Sequence, residues 1–139
     1  MSLGPKRIIE NANSILAQGN NRQLMQAFLE KFSQCEVYTR PVLIQYHKSI
    51  GEEVKPENIC LNAREIKDAF SEQGIYFADG KILTRIFGAE DAPNKSSCRW
   101  LRNKVTHELM KRAINEVCER NAALINDMDD FIQQIIEQS

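Results

Sequence analysis

From Ser97 to Ser139 the chain contains neither proline nor glycine; all four prolines and all six glycines lie before residue 94. Those two residue types are the strongest helix breakers, proline by removing a donor and glycine by its backbone entropy. A stretch this long without either is therefore expected to be helical. Within it Trp100, Asn103, His107, Met110, Ile114, Val117, Asn121, Leu124, Met128, Phe131 and Ile135 recur in steps of three and four. That spacing puts them on one helix face, in a heptad-like stripe. Unbroken, such a helix would be about 60 Å long at 1.5 Å per residue, which is long for so small a globule. Two outcomes are expected: a kink near Glu119–Asn121, or a far half that projects and packs against a second subunit.

The earlier part of the chain is punctuated instead. Pro5 suits a first helical turn, and the segment 5–18 stops at Gly19. Asn20 or Asn21 can cap a second helix, with Leu24, Met25, Phe28, Leu29 and Phe32 as its apolar stripe. Thr39-Arg40-Pro41 reads as the start of a third, ending at Gly51. Residues 51–61, with Pro56, read as a loop. Asn62 and Glu65 have capping-box spacing before Ile66, Ala69 and Phe70. Gly74 ends that helix, Ile75-Tyr76-Phe77 can be a short extended piece, and Asp79 is placed to cap a short helix closing at Gly88. The polar run 89–97 reads as a loop. The expected fold is all-α: a single domain over 1–139, a helical bundle of about five to six helices with a long C-terminal helix or kinked helix pair.

Composition narrows the function classes. A net charge of −1 with 27% charged and 42% hydrophobic residues describes neither a disordered chain nor a grossly basic nucleic-acid binder. Cys35, Cys60, Cys98 and Cys118 stand apart from one another, without zinc-ligand spacing or the pattern of a secreted disulfide framework. Reduced, mostly buried thiols are expected. No apolar run approaches the ~20 residues that span a bilayer, and no signal peptide is apparent, so the expected setting is cytoplasmic with no membrane partner. No Gly-rich phosphate loop, Ser–His–Asp order or catalytic carboxylate pair stands out. His47 reads as a surface or interhelical histidine. Neither a metal nor a cofactor is expected.

One stretch is chemically suggestive: Arg102-Asn103-Lys104-Val105-Thr106-His107. Three polar residues, Asn103, His107 and Asn121, interrupt the apolar stripe, and a polar group on a buried face costs roughly 1–3 kcal/mol unless it finds a partner. Asn103 and His107 are four apart and stack on one face, while the long Arg102 side chain can bend over the turn toward them. Between Lys95 and Arg112 stand six basic residues (Lys95, Arg99, Arg102, Lys104, Lys111 and Arg112) against one acid, Glu108. Beyond it the sign reverses, with Glu116, Glu119, Asp127, Asp129, Asp130 and Glu137 against Arg120. A positive patch beside an apolar groove concentrates phosphates, and Arg99 and Lys104 are its expected substrate-binding cations. The same residues also admit a structural reading. In it the acidic tail folds back on the basic turn, Arg102 sits in an ion pair, and His107 is a satisfied core histidine.

Leu101 to Leu109, with Arg102, Asn103 and His107 as RN-x3-H, resembles the signature of HEPN domains, an arginine and a histidine separated by four to six residues. The arginine is often followed by Asn there, and the motif lies at the start of a late helix, after a polar loop. The resemblance implies a metal-independent endoribonuclease of toxin–antitoxin, phage-defence or RNA-processing systems, dimeric so that two motifs share one cleft. It implies that His107 is the general base on a ribose 2′-hydroxyl, a step suited to imidazole. Arg102 would stabilise charge on the phosphorane-like transition state, and Asn103 would orient His107 or bind phosphate. The product would be a 2′,3′-cyclic phosphate. Many toxin members carry a tyrosine two places after the histidine, where this chain has Leu109. A polar residue from an early helix often completes the site, with Glu30, Ser33 and Glu36 as candidates here. Expected partners are a second copy of the chain, RNA or a nucleotide, and an antitoxin or other partner protein. The alternative is a non-catalytic helical module that binds a nucleotide or a protein; a small helical regulator is the third reading.

Overall fold

A computed structural model describes residues 4–88 and 97–139, and among these the fold is all-helical. The polar run 89–96, including Lys95, lies outside the described residues. The helices are α1 (Pro5–Leu16), α2 (Asn21–Ser49), α3 (Ala63–Glu72), α4 (Ile82–Phe87), α5 (Cys98–Glu108), α6 (Lys111–Glu119) and α7 (Asn121–Gln138), with a 3₁₀ turn over Pro56–Asn58. They form a bundle around α2, which packs against α3, α5, α6 and α7.

The sequence places a helix start at Thr39–Pro41; the structure does not. A single α2 runs through Pro41. An interior proline costs about 3 kcal/mol or more, and the apolar stripe outweighs it. Met25, Phe28, Phe32, Cys35, Thr39 and Leu43 are buried at three- and four-residue spacing along one continuous face. Each large side chain so buried contributes about 1.5–3 kcal/mol, and breaking the helix at Pro41 would put Leu43 out of line. Thr39, the buried polar member, gives its hydroxyl proton to the Cys35 carbonyl at 2.6 Å. Pro41 leaves the carbonyl of Val37 without a helical donor, and Val37 is 70% exposed, so water is at hand.

The glycine- and proline-free tail is three helices. The bend expected near Glu119–Asn121 is present at Arg120, which sits between α6 and α7. A second break, at Leu109–Met110, has no glycine or proline to announce it. Leu109 is the only described non-glycine residue with positive φ, at +48°. Such a conformation costs roughly 1–2 kcal/mol, and packing supplies the reason for it. α5 buries Cys98, Leu101 and Val105, whereas α6 buries Ala113, Ile114 and Val117. At 100° per residue those two sets would lie roughly 130° apart on one straight helix. The turn at Leu109 lets both face the core.

Of the two outcomes expected for the tail, the far half does not project away from the chain that carries it. In α7, Leu124, Met128, Phe131, Ile132 and Ile135 are buried within the chain itself, the helix lying against α2 and α4. Phe131 centres an aromatic cluster, with Phe70, Phe77 and Phe87 at centroid distances of 5.9, 5.2 and 5.4 Å. Smaller expectations hold: Asn62 Oδ1 accepts from the Glu65 amide at 2.9 Å, and Gly74 and Gly88 follow their helices with positive φ. Among the described residues no helix is long and apolar enough to cross a membrane.

Candidate functional site

The break at Leu109 also decides how the Arg-Asn-His stretch is presented. A straight tail helix would bury the face carrying Asn103 and His107. Because the chain turns after Glu108, α5 instead buries the opposite side, through Leu101 and Val105. Arg102, Asn103 and Lys104 are half-buried, and His107, in the last turn, is exposed. His107 is therefore not a core histidine and Asn103 does not sit in a sealed helix contact. The requirement for buried hydrogen-bond partners, drawn from the stripe, does not apply to them.

Arg102 is held from three sides. Its Nη1 donates to Asn103 Oδ1 at 2.9 Å and its Nη2 lies 3.2 Å from Glu36 Oε1 on α2. The guanidinium also stands over the Phe32 ring, 5.5 Å from the centroid. Glu36 is itself fixed by Arg40, whose Nε and Nη2 reach its Oε2 at 3.1 and 2.7 Å. Phe32, Glu36 and Arg40 are four apart along α2 and form one strip beside α5. Of the three early-helix acids and hydroxyls weighed from the resemblance, the structure brings Glu36 to Arg102. Glu30 accepts from Gln26 instead, at 3.0 Å, and Ser33 is exposed. The acidic partner of Arg102 therefore comes from α2, not from the acidic tail. The four-residue spacing of positions 32, 36 and 40 was visible in the sequence, but which late helix would meet it was not.

The basic neighbours are partly committed. Arg99 donates to the Leu61 carbonyl and lies 3.5 Å from Cys60 Sγ, tying α5 to the segment before α3. Lys104 pairs with Glu108 one turn on and stands 5.7 Å from the Trp100 ring centroid. Thr106 returns its hydroxyl proton to the Arg102 carbonyl at 2.7 Å. Among the described residues the His107 side chain makes no hydrogen bond or ion pair. Asn121, the third polar member of the stripe, is structural: its Nδ2 donates to the Leu24 carbonyl at 2.8 Å, pinning the start of α7 to that of α2. His47 is interhelical, with Nδ1 2.8 Å from Glu52 Oε2 and Nε2 3.6 Å from Glu65 Oε2.

No family model, curated protein or solved structure matches the chain. What the site can do is thus argued from its own geometry. Arg102 and His107 are five positions apart, which on one helix is roughly 140° of rotation and about 7.5 Å of rise. The two groups of one chain therefore diverge. Two cavities lie nearby. A groove of 530 Å³ is lined by Lys111, Arg112, Asn115, Glu116 and Glu119 on α6, and one of 280 Å³ by Ile8, Asn11, Glu108, Leu109, Met110 and Lys111. Neither is lined by Arg102 or His107. Among the described residues no group of His, Cys, Asp and Glu is arranged to hold a metal ion.

Proposed function

We propose that this chain is a HEPN-like, metal-independent endoribonuclease that acts as a homodimer. The observation that carries the reading is the contrast between the two motif side chains on α5. Arg102 is pre-oriented by Glu36, Asn103 and Phe32, while His107 is exposed and unpartnered among the described residues. An arginine locked from behind keeps further N–H donors for a phosphate, since a guanidinium has five. An imidazole without a partner is free to take a proton. Because the two groups diverge on one helix, the reading requires a second copy that brings its own α5 alongside, so that arginine and histidine meet across the dimer.

In such a cleft His107 takes the proton of a ribose 2′-hydroxyl. The oxygen attacks the adjacent phosphorus, and the 5′-oxygen of the next nucleotide leaves with a proton. The products are a 2′,3′-cyclic phosphate and a 5′-hydroxyl. Arg102 holds the charge that grows on the non-bridging oxygens, and Asn103 holds Arg102 in place. Lys104 and Arg99 extend the positive rim, Lys104 by exchanging Glu108 for phosphate. A toxin–antitoxin or phage-defence setting, with an antitoxin as partner, suits this chemistry.

The test is an RNase assay in excess EDTA. The wild-type chain is expected to cut single-stranded RNA, leaving 2′,3′-cyclic ends, and His107→Ala to lower the rate by at least about a hundredfold, with its helical circular dichroism unchanged. Sedimentation is expected to show a dimer. Intact RNA across varied substrates, with the dimer present, would overturn catalysis. The reading would then pass to a non-catalytic nucleotide- or protein-binding module, favoured by the carboxylate that Arg102 already has in Glu36.

A further inference from the structure

We infer that the 280 Å³ groove at the α5–α6 junction is a nucleobase pocket with the chemistry to select guanine. The inference takes its substrate class, single-stranded RNA, from the function proposed above. The groove lies where the chain turns at Leu109, between that turn and α1. A branched residue seldom adopts the left-handed conformation Leu109 holds, and such residues cluster at ligand clamps. Ile8, Leu109 and Met110 supply apolar wall, against which the face of a planar ring can lie. Asn11, half-buried at the edge, has a side-chain amide with no hydrogen bond among the described residues.

The polar groups around the groove make a pattern. Glu108 pairs with Lys104 through Oε2, and a carboxylate retains acceptor sites on both oxygens beyond one such bond. Two adjacent N–H donors meet a carboxylate best, and on the Watson–Crick edges of the four RNA bases only guanine offers them, at N1 and N2. The Asn11 amide can donate to guanine O6 or N7, and Lys111 stands by as a cation for the phosphate. Bases of single-stranded RNA are read in this way, splayed from the stack and hydrogen-bonded at their edges. Position ties the groove to the reaction. Glu108 directly follows His107 at the end of α5, so a nucleotide seated here lies near the imidazole, which does not itself line the groove. Cleavage is then expected on the 3′ side of guanosine. A free guanine nucleotide presents the same chemistry as a guanine in RNA, and the test separates the two.

The experiment uses the full chain in two arms. In the first, GMP, AMP, CMP, UMP and ribose 5-phosphate are titrated by amide-resolved NMR. GMP is expected to shift residues 8–11 and 108–111 and to bind at least about tenfold tighter than the other nucleotides. Glu108→Gln is expected to abolish that preference, because its amide sets a donor against one of the guanine donors. Asn11→Ala is expected to weaken GMP several-fold. In the second arm, cuts in a mixed-sequence RNA are mapped in EDTA and are expected to leave guanosine 2′,3′-cyclic phosphate ends. Equal affinity for all four nucleotides, or shifts that miss the groove, overturns the pocket. Cutting without guanine preference overturns the pocket and leaves the nuclease standing. Selective GMP binding without any cutting overturns the nuclease, keeps the pocket and makes a free nucleotide its ligand.

Discussion

The four thiols show how local environment divides chemically identical residues. Cys35 and Cys98 are buried, Cys118 is half-buried, and Cys60 is exposed beside Arg99. Burial pushes the Cys98 thiol up to about 12 and raises Cys35 as well, because a thiolate loses its hydration there. Cys118 is raised by the same cause. Only the thiolate reacts with an aromatic disulfide reagent. At pH 8 one thiol per chain is therefore expected to react fast and to vanish in Cys60→Ser. Cys118 should follow slowly, and Cys35 and Cys98 should react only in denaturant. Two fast thiols in native Cys60→Ser would contradict the burial described. The same scale governs Arg102, which is useful only because Glu36, Asn103 and Phe32 together limit where its guanidinium can go.

At the scale of the element, α2 and the tail depart from their sequence signals in opposite directions. α2 passes through a proline that reads as a start, and the tail breaks where nothing reads as a stop. In both cases a propensity term of a few kcal/mol is smaller than the burial of an apolar face. Pro41 offers a direct check. Were it the first residue of a helix, alanine there would be neutral or slightly destabilising. Inside α2, Pro41→Ala restores a donor for the Val37 carbonyl and is expected to raise unfolding stability by about 1–2 kcal/mol, after the loss of proline's effect on the unfolded chain. Urea denaturation of the two proteins decides between these.

At the scale of the whole molecule, α7 closes the fold by gripping segments far from it in sequence. The Gln138 side chain accepts from the Tyr76 amide and donates to its carbonyl, each at 2.8 Å, and Gln134 Oε1 accepts from the Ala78 amide at 2.9 Å. Two side-chain amides thus satisfy the extended piece 75–78 that would otherwise need a strand partner. Arg85 on α4 joins Asp79 at 2.7 Å and Asp127 of α7 at 3.0 Å. The Lys81 amide, then Arg85, hold the Asp79 carboxyl below the usual carboxylate range. A carboxyl lowered on folding stabilises the fold at pH values above its unfolded value. That contribution fades as pH falls from about 4 through the lowered folded value. Asp79→Asn is therefore expected to be less stable than wild type at pH 7, with the difference shrinking toward pH 3. A gap that stayed constant over that range would show that the carboxylate charge is not what matters.

The sequence by itself determined the all-helical class, the helix start at Pro5, the cap at Asn62 and the glycine stops after α3 and α4, and it offered the bend at Arg120 as one of two outcomes. These depend on interactions within a few residues, so short-range pattern suffices to find them. Which face of α5 looks inward could not be read that way. The stripe through Asn103 and His107 keeps the phase of the later helices, and only the turn at Leu109, imposed by the packing of α5 and α6, sets α5 against that phase. The pairing of Arg102 with Glu36 was open for the same reason. Helix periodicity orders residues along one element, whereas the meeting of two elements is decided by the shape of the shared core.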